Sequence, residues 1–142
     1  MSELNKTLED VFGYTSFRPG QEEVINHLMQ KKKLLAVMPT GAGKSLCYQL
    51  PALLFENQTI VVSPLVALMD DQVIGLKDLG VKAERVHSGM PESKRTQIWE
   101  DFKSKQIKIL YISPESLMRN EMLNALKPLN ISMFVVDEAH CI

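Results

Sequence analysis

The chain has 142 residues, 45% of them hydrophobic and 23% charged, with a formal net charge of −1 from 16 basic and 17 acidic residues. These are the proportions of one globular domain, and they exclude a disordered, collagen-like or disulfide-scaffold chain. No apolar run approaches the ~18 residues that span a bilayer, and the polar, acidic start MSELNKTLED lacks the basic and apolar regions of a secretory signal. Cys47 and Cys141 form no CxxC pair, so a zinc or redox motif is not expected and a reducing cytoplasm is the expected compartment. Near-neutral charge leaves nucleic acid open as a partner, because a binding groove can be basic locally.

Helix-period and strand-like segments alternate, the pattern of an α/β domain with a parallel sheet. Leu4, Leu8, Val11 and Phe12 mark a first helix face, closed by Gly13. Pro19 suits the start of a second helix through Val24, Ile25, Leu28 and Met29. Leu34 to Met38 reads as a buried strand leading into PTGAGKS, with a helix from about Lys44 and a kink or end at Pro51. Thr59 to Ser63 is a second strand, and Leu65, Leu68, Met69, Val73 and Leu76 stripe a helix closed by Gly80. Lys82 to His87 is a weaker strand. Pro91 opens a polar helix with Ile98, Trp99 and Phe102 on its apolar side. Lys108 to Ile112 is a fourth strand, Pro114 begins a helix through Leu117, Met118 and Leu126, and Met133 to Val136 is a fifth strand ending in Asp137 and Glu138.

The strand–turn–helix around Gly41 to Ser45 carries the first chemical signal. A phosphate needs several backbone N–H groups pointing inward, and small residues let the chain curl that closely. Lys44 then suits the β and γ phosphates of a nucleotide, and the Ser45 hydroxyl suits Mg²⁺. The strict GxxxxGK[ST] pattern fails at its first position, Met38, but TGAGKS after an apolar strand remains specific. The second signal is VVDEAH at the end of a strand, where open α/β sheets bind ligands. Asp137 can hold metal-bound water and Glu138 can orient or deprotonate an attacking water. The third signal, FGYTSFRPGQ, is weaker. Tyr14 and Phe17 suit either a core or a base-stacking site, with Gln21 able to hydrogen-bond a base on both sides.

Together and in this order, LEDVFGYTSFRPGQ, VMPTGAGKSLCYQLPAL, VVSPLVALMDDQV, YISPESLM and VVDEAHCI resemble the N-terminal part of RecQ-family DNA helicases, from about Leu8 to Ile142. The resemblance implies a RecA-like P-loop NTPase domain, using ATP and Mg²⁺ to drive 3′-to-5′ movement on single-stranded and duplex DNA in recombination and repair. It implies an adenine site at Tyr14, Arg18 and Gln21, and a phosphate loop at Thr40, Gly41, Ala42, Gly43, Lys44 and Ser45. It implies a metal site at Ser45 and Asp137, water handling by Glu138, and a link from His140 to DNA contacts. Segments 63–72 and 112–117 correspond to motifs that touch the DNA backbone. Ala42 stands where glycine is frequent, Asp70 where lysine is frequent and Ser116 where arginine is frequent; the last two remove positive charge.

Family members continue into an aromatic-rich loop, motif III, a second RecA-like domain and a zinc-binding region, so residues 1–142 are expected to be a first motor domain truncated before motif III. In such sheets the strand after motif II lies between the phosphate-loop strand and the DEAH strand. Its absence here predicts two unpaired strand edges. A related superfamily 2 RNA helicase and a non-catalytic nucleotide- or DNA-binding module are the competing readings. Several residues have plainer readings beside these. Lys94, Arg95, Lys103, Lys105 and Lys108 suit a solvated helix better than a DNA track. Asp71 and Gln72 suit DNA contact, inter-motif hydrogen bonding or a solvated helix face. Trp99 and the methionines at 29, 38, 69, 118, 122 and 133 suit packing, and His27 and His87 lack a metal partner at ligand spacing.

Overall fold

A computed structural model of the chain describes residues 3–30, 34–38, 44–118, 129 and 131–137, with backbone alone for 34–38, Lys44 and Asp137. In chain order the elements are α1 (Glu3–Thr7), a continuing π-helical turn (Leu8–Phe12), α2 (Gln21–Met29), β1 (Leu34–Met38), α3 (Lys44–Leu54) and β2 (Gln58–Val62). They continue as α4 (Val66–Asp78), β3 (Ala83–Val86), α5 (Glu92–Lys103), β4 (Ile109–Ile112), α6 (Pro114–Leu117) and β5 (Ile131–Asp137). The strands form one five-stranded sheet in the order β1-β5-β2-β4-β3, with every pairing parallel.

The order corrects one expectation. β1 lies directly against β5, in register from Leu34 with Met133 to Met38 with Asp137. No gap separates the two strands. Buried backbone N–H and C=O groups must be paired, and β1 supplies that pairing on one side of β5 while β2 supplies it on the other.

β2 and β4 are buried along their whole length because both sheet faces are covered, and they are mostly apolar for that reason. Side chains alternate between the two faces. Val61, Ile109, Tyr111, Met133 and Val135 point into a core with Leu8, Ile25, Leu28, Leu50, Met69, Val73 and Leu76. Ile60, Val62, Leu110 and Ile112 point into a second core with Ile98 and Phe102 of α5. The helical stripe expected on α4 is therefore seen as Met69, Val73 and Leu76, all buried. Trp99 stacks on Phe102 with ring centroids 5.6 Å apart, as packing predicts. Met69 and Met133 are core residues, whereas Met118, just past the end of α6 at Leu117, is exposed, against expectation. Leu126, Met122 and Cys141 lie outside the described residues, and Cys47 is buried.

Local chemistry sets the element ends. Gly80, at φ 85°, lets Val81 N–H reach back to Leu76 O and close α4. α2 begins at Gln21, later than Pro19, because Gly20 adopts φ 87° and turns the chain first. α3 does not end at Pro51. It continues to Leu54, and the Phe55 N–H donates to Pro51 O at 2.9 Å. Lys108 Nζ then donates to the carbonyls of Phe55 at 2.5 Å and Asn57 at 3.0 Å just past the helix end. Burial lowers the Lys108 ammonium from its ordinary value, with a smaller push from Lys105.

Gln58, buried at the start of β2, ties the sheet to the α5–β4 connection. Its Nε2 donates to Phe102 O at 2.6 Å and Ile107 O at 2.7 Å. Gln58→Leu keeps the volume and strands both carbonyls, so the free energy of unfolding should fall by about 2 kcal/mol in denaturant titration. A loss well below ~1 kcal/mol would mean that the carbonyls find other donors.

Candidate functional site: a cleft at the C-terminal edge of the sheet

Ligands of open parallel sheets bind beyond the C-terminal strand ends, where loops and helix N-termini converge. The register sets Met38, the last residue before the Gly-rich turn, beside Asp137, the last residue of β5. The turn's entry and the acidic pair's first residue therefore share one edge. Lys44 and Ser45 open α3, and Ser45 is half-buried. Ser63 follows β2 at the level where Asp137 ends β5, since Val62 pairs with Val136. Its Oγ is buried and has no hydrogen-bond partner among the described residues. Thr40, Gly41, Ala42, Gly43, Glu138 and His140, and the side chains of Lys44 and Asp137, lie outside the described residues.

A cleft of about 400 Å³ opens beside Ser45, a size ordinary for small-molecule sites. Tyr14, Arg18 and Gln21 line one side of it. The sequence left Tyr14 open between core and binding; the structure leaves it 57% exposed, while Phe17 packs on the core. Gln21 is held in place by a reciprocal pair. Its N–H donates to Arg18 O at 3.0 Å, and its Oε1 accepts the Arg18 N–H at 2.7 Å. The amide orientation is thereby fixed, which suits it to recognise a flat polar edge.

Behind the cleft runs a buried polar network that the sequence did not disclose. Gln49 Nε2 donates to Gln72 Oε1 at 2.7 Å and to Tyr111 Oη at 3.1 Å. Tyr111 Oη and Tyr48 Oη are 2.7 Å apart. The network joins α3, α4 and β4 through the apolar layer. Its one visible sign was a glutamine within the apolar helix sequence LCYQLPALL. Tyr111 had read as an ordinary strand residue.

Other candidates resolve more plainly. Gln72 makes an inter-motif hydrogen bond, and Asp71 is exposed at the cleft. Asp70 pairs with Arg85 on β3, and Lys77 with Glu84 at 2.8 Å, so α4 and the edge strand neutralise one another. Ser113 caps α6, accepting the Ser116 N–H at 3.3 Å, and its hydroxyl lies 3.0 Å from that of the buried Ser116. Lys103 pairs with Glu100 at 2.8 Å, in keeping with a solvated helix. His87 Nδ1 accepts the Gly89 N–H at 3.1 Å, and His27 is exposed. Among the described residues no group of His, Cys, Asp or Glu is arranged to hold a metal by itself, and no helix is long and apolar enough to cross a membrane.

Comparison with known proteins agrees with this geometry. The DEAD/DEAH box helicase family profile matches residues 18–142. The ATP-dependent DNA helicase RecQ of Haemophilus influenzae is 46% identical over 135 residues, 95% of this chain and 22% of the relative. RecQ of Synechocystis is 43% identical over 141 residues, 98% of this chain and 30% of the relative. The chain thus spans less than a third of the length of these curated relatives. The crystal structure of the DUF1998 helicase MrfA bound to DNA and AMPPNP has a TM-score of 0.70 at 21% identity, over 96% of this chain and 21% of that one. That likeness is one of fold. With its all-parallel sheet and a family match over residues 18–142, the chain belongs to the DEAD/DEAH box helicases, in their RecQ group.

Proposed function

We propose that the chain is the ATP-binding first motor domain of a 3′-to-5′ DNA helicase acting in the cytoplasm, which couples ATP hydrolysis to unwinding in recombination and repair. The observation that carries this reading is the parallel pairing of Met38 with Asp137. It brings the lead-in to TGAGKS and the start of DEAH to adjacent strand ends, where a phosphate chain needs both. The relatives named as ATP-dependent DNA helicases support the substrate and the partner.

The donor chemistry fits ATP and Mg²⁺. A hard cation takes oxygen ligands, and the two residues assigned to it, Ser45 and Asp137, offer a hydroxyl and a carboxylate. The buried Ser63 hydroxyl, without a partner among the described residues, adds a third polar group at that edge. When bound, Mg²⁺ would neutralise phosphate charge and draw it toward Ser45 and Asp137. The backbone N–H groups of Thr40 to Gly43 would cradle the phosphates, and Lys44 would stabilise charge on the transferring group. Glu138 would hold a water in line with the terminal phosphorus and take its proton as the bond to the departing diphosphate breaks. His140 would report the nucleotide state to the nucleic-acid face. At the other end of the cleft, Tyr14 would stack on adenine, with Arg18 beside it and Gln21 reading its edge.

Lys44→Ala in the full-length protein should lower ATP turnover at least ~10²-fold, measured as phosphate release. Turnover within a few fold of wild type would reject the phosphate-loop assignment. Single-stranded DNA should stimulate ATP hydrolysis more than RNA of the same length. Stronger stimulation by RNA would move the protein to the RNA helicases.

A further inference from the structure

We infer that α4 forms the second wall of the nucleotide cleft, and that Gln72 and Gly75 set the affinity for the base end of the nucleotide. The inference rests on the ATP-binding reading above and extends it to residues that reading does not use.

Besides Tyr14, Arg18 and Gln21, the cleft is lined by Asp71, Gln72 and Gly75 of α4. The base end is therefore bordered by α4 as well as by the entry to α2, which form its two walls. The spacing of the walls has a physical cause. Gln72 is bonded to Gln49, and Gln49 is bonded to Tyr111 on the central sheet. α4 is thus pinned to the helix that opens with Lys44 and Ser45.

Gly75 is the second observation. A glycine within a helix weakens it relative to alanine, so its presence asks for a reason. The usual reasons are missing. Its φ lies outside the left-handed region, and a Cβ built on it meets nothing within 4 Å. Neither backbone conformation nor packing in the protein requires a glycine there. What a Cβ would enter is the cleft itself. The missing side chain keeps the slot wide enough for a flat ring with its sugar, while Gln72 holds the wall at that width. The occupant this chemistry suits is a nucleoside moiety. Phosphates are held at the other end, near Ser45.

The test uses the full-length protein and two ligands, Mg-ATP and Mg-tripolyphosphate, with Kd measured by calorimetry. Tripolyphosphate has no base or sugar, so it senses the phosphate end alone. Gly75→Ala should raise the melting temperature, because alanine favours helix, yet weaken ATP binding about threefold or more. Tripolyphosphate binding should stay unchanged. Gln72→Leu, which keeps the volume and removes the bond to Gln49, should weaken ATP selectively in the same way. Unchanged ATP affinity in both variants, or equal weakening of both ligands, would overturn the inference. Lys44→Ala separates the two levels. If that variant still binds ATP and tripolyphosphate as wild type does, the nucleotide reading itself fails, whatever Gly75 does.

Discussion

Everything at the site depends on the hydrogen-bonded position of β5. From Met133 to Val136 it is paired on both sides, to β1 and to β2, so its register there is fixed twice. A slip of one residue would turn Met133 and Val135 out of one core and into the differently packed core on the other face. The same register decides where Asp137 stands relative to Met38. The geometry of the phosphate end is therefore set by apolar side chains several residues back along the strand. Chemistry at the edge is bought by packing in the middle.

The apolar layer on the α3–α4 side is not wholly apolar. Gln49, Gln72, Tyr48 and Tyr111 form a polar seam through it. Buried polar groups are tolerated only when paired, and in low dielectric a paired network gains directional strength. Such a seam fixes the relative position of two helices more sharply than greasy contacts do, because hydrogen bonds have narrow geometry. The other face of the sheet, packed by Ile98 and Phe102, relies on shape and on the Gln58 clamp.

The charged residues divide in a way that composition could not indicate. Asp70, Lys77, Glu84 and Arg85 close on one another at the junction of α4 with the edge strand β3. Surface pairs of this kind contribute little stability, but they cover an edge that would otherwise invite pairing with another chain. They also leave Arg85 engaged with a carboxylate at the position where a basic residue is frequent in the family.

The sequence by itself determined the alternation of strands and helices and the family, because both are written in contiguous residues, among them the TGAGKS and DEAH motifs. Periodicity sufficed for α4, and apolar runs for β2 and β4, since burial on both faces leaves no polar alternation. Turn chemistry was read correctly at Gly80, and of the two outcomes open at Pro51, a kink or a helix end, the end does not occur. There, neighbouring packing carries the helix on to Leu54 although the proline cannot donate. Tertiary structure alone decided what depends on residues distant in the chain. It paired β1 with β5, where reasoning from family topology expected two bare edges. It left Tyr14 exposed in a cleft and sent Phe17 to the core, a choice that local composition could not make. It joined Gln49 to Tyr111, 62 positions away, and brought α4 and Gln21 to the same cleft. The physical reason is the same in each case. Local residues fix which element forms, but strand pairing and buried hydrogen bonds are contracts between segments, and their partners are visible only after the chain has folded.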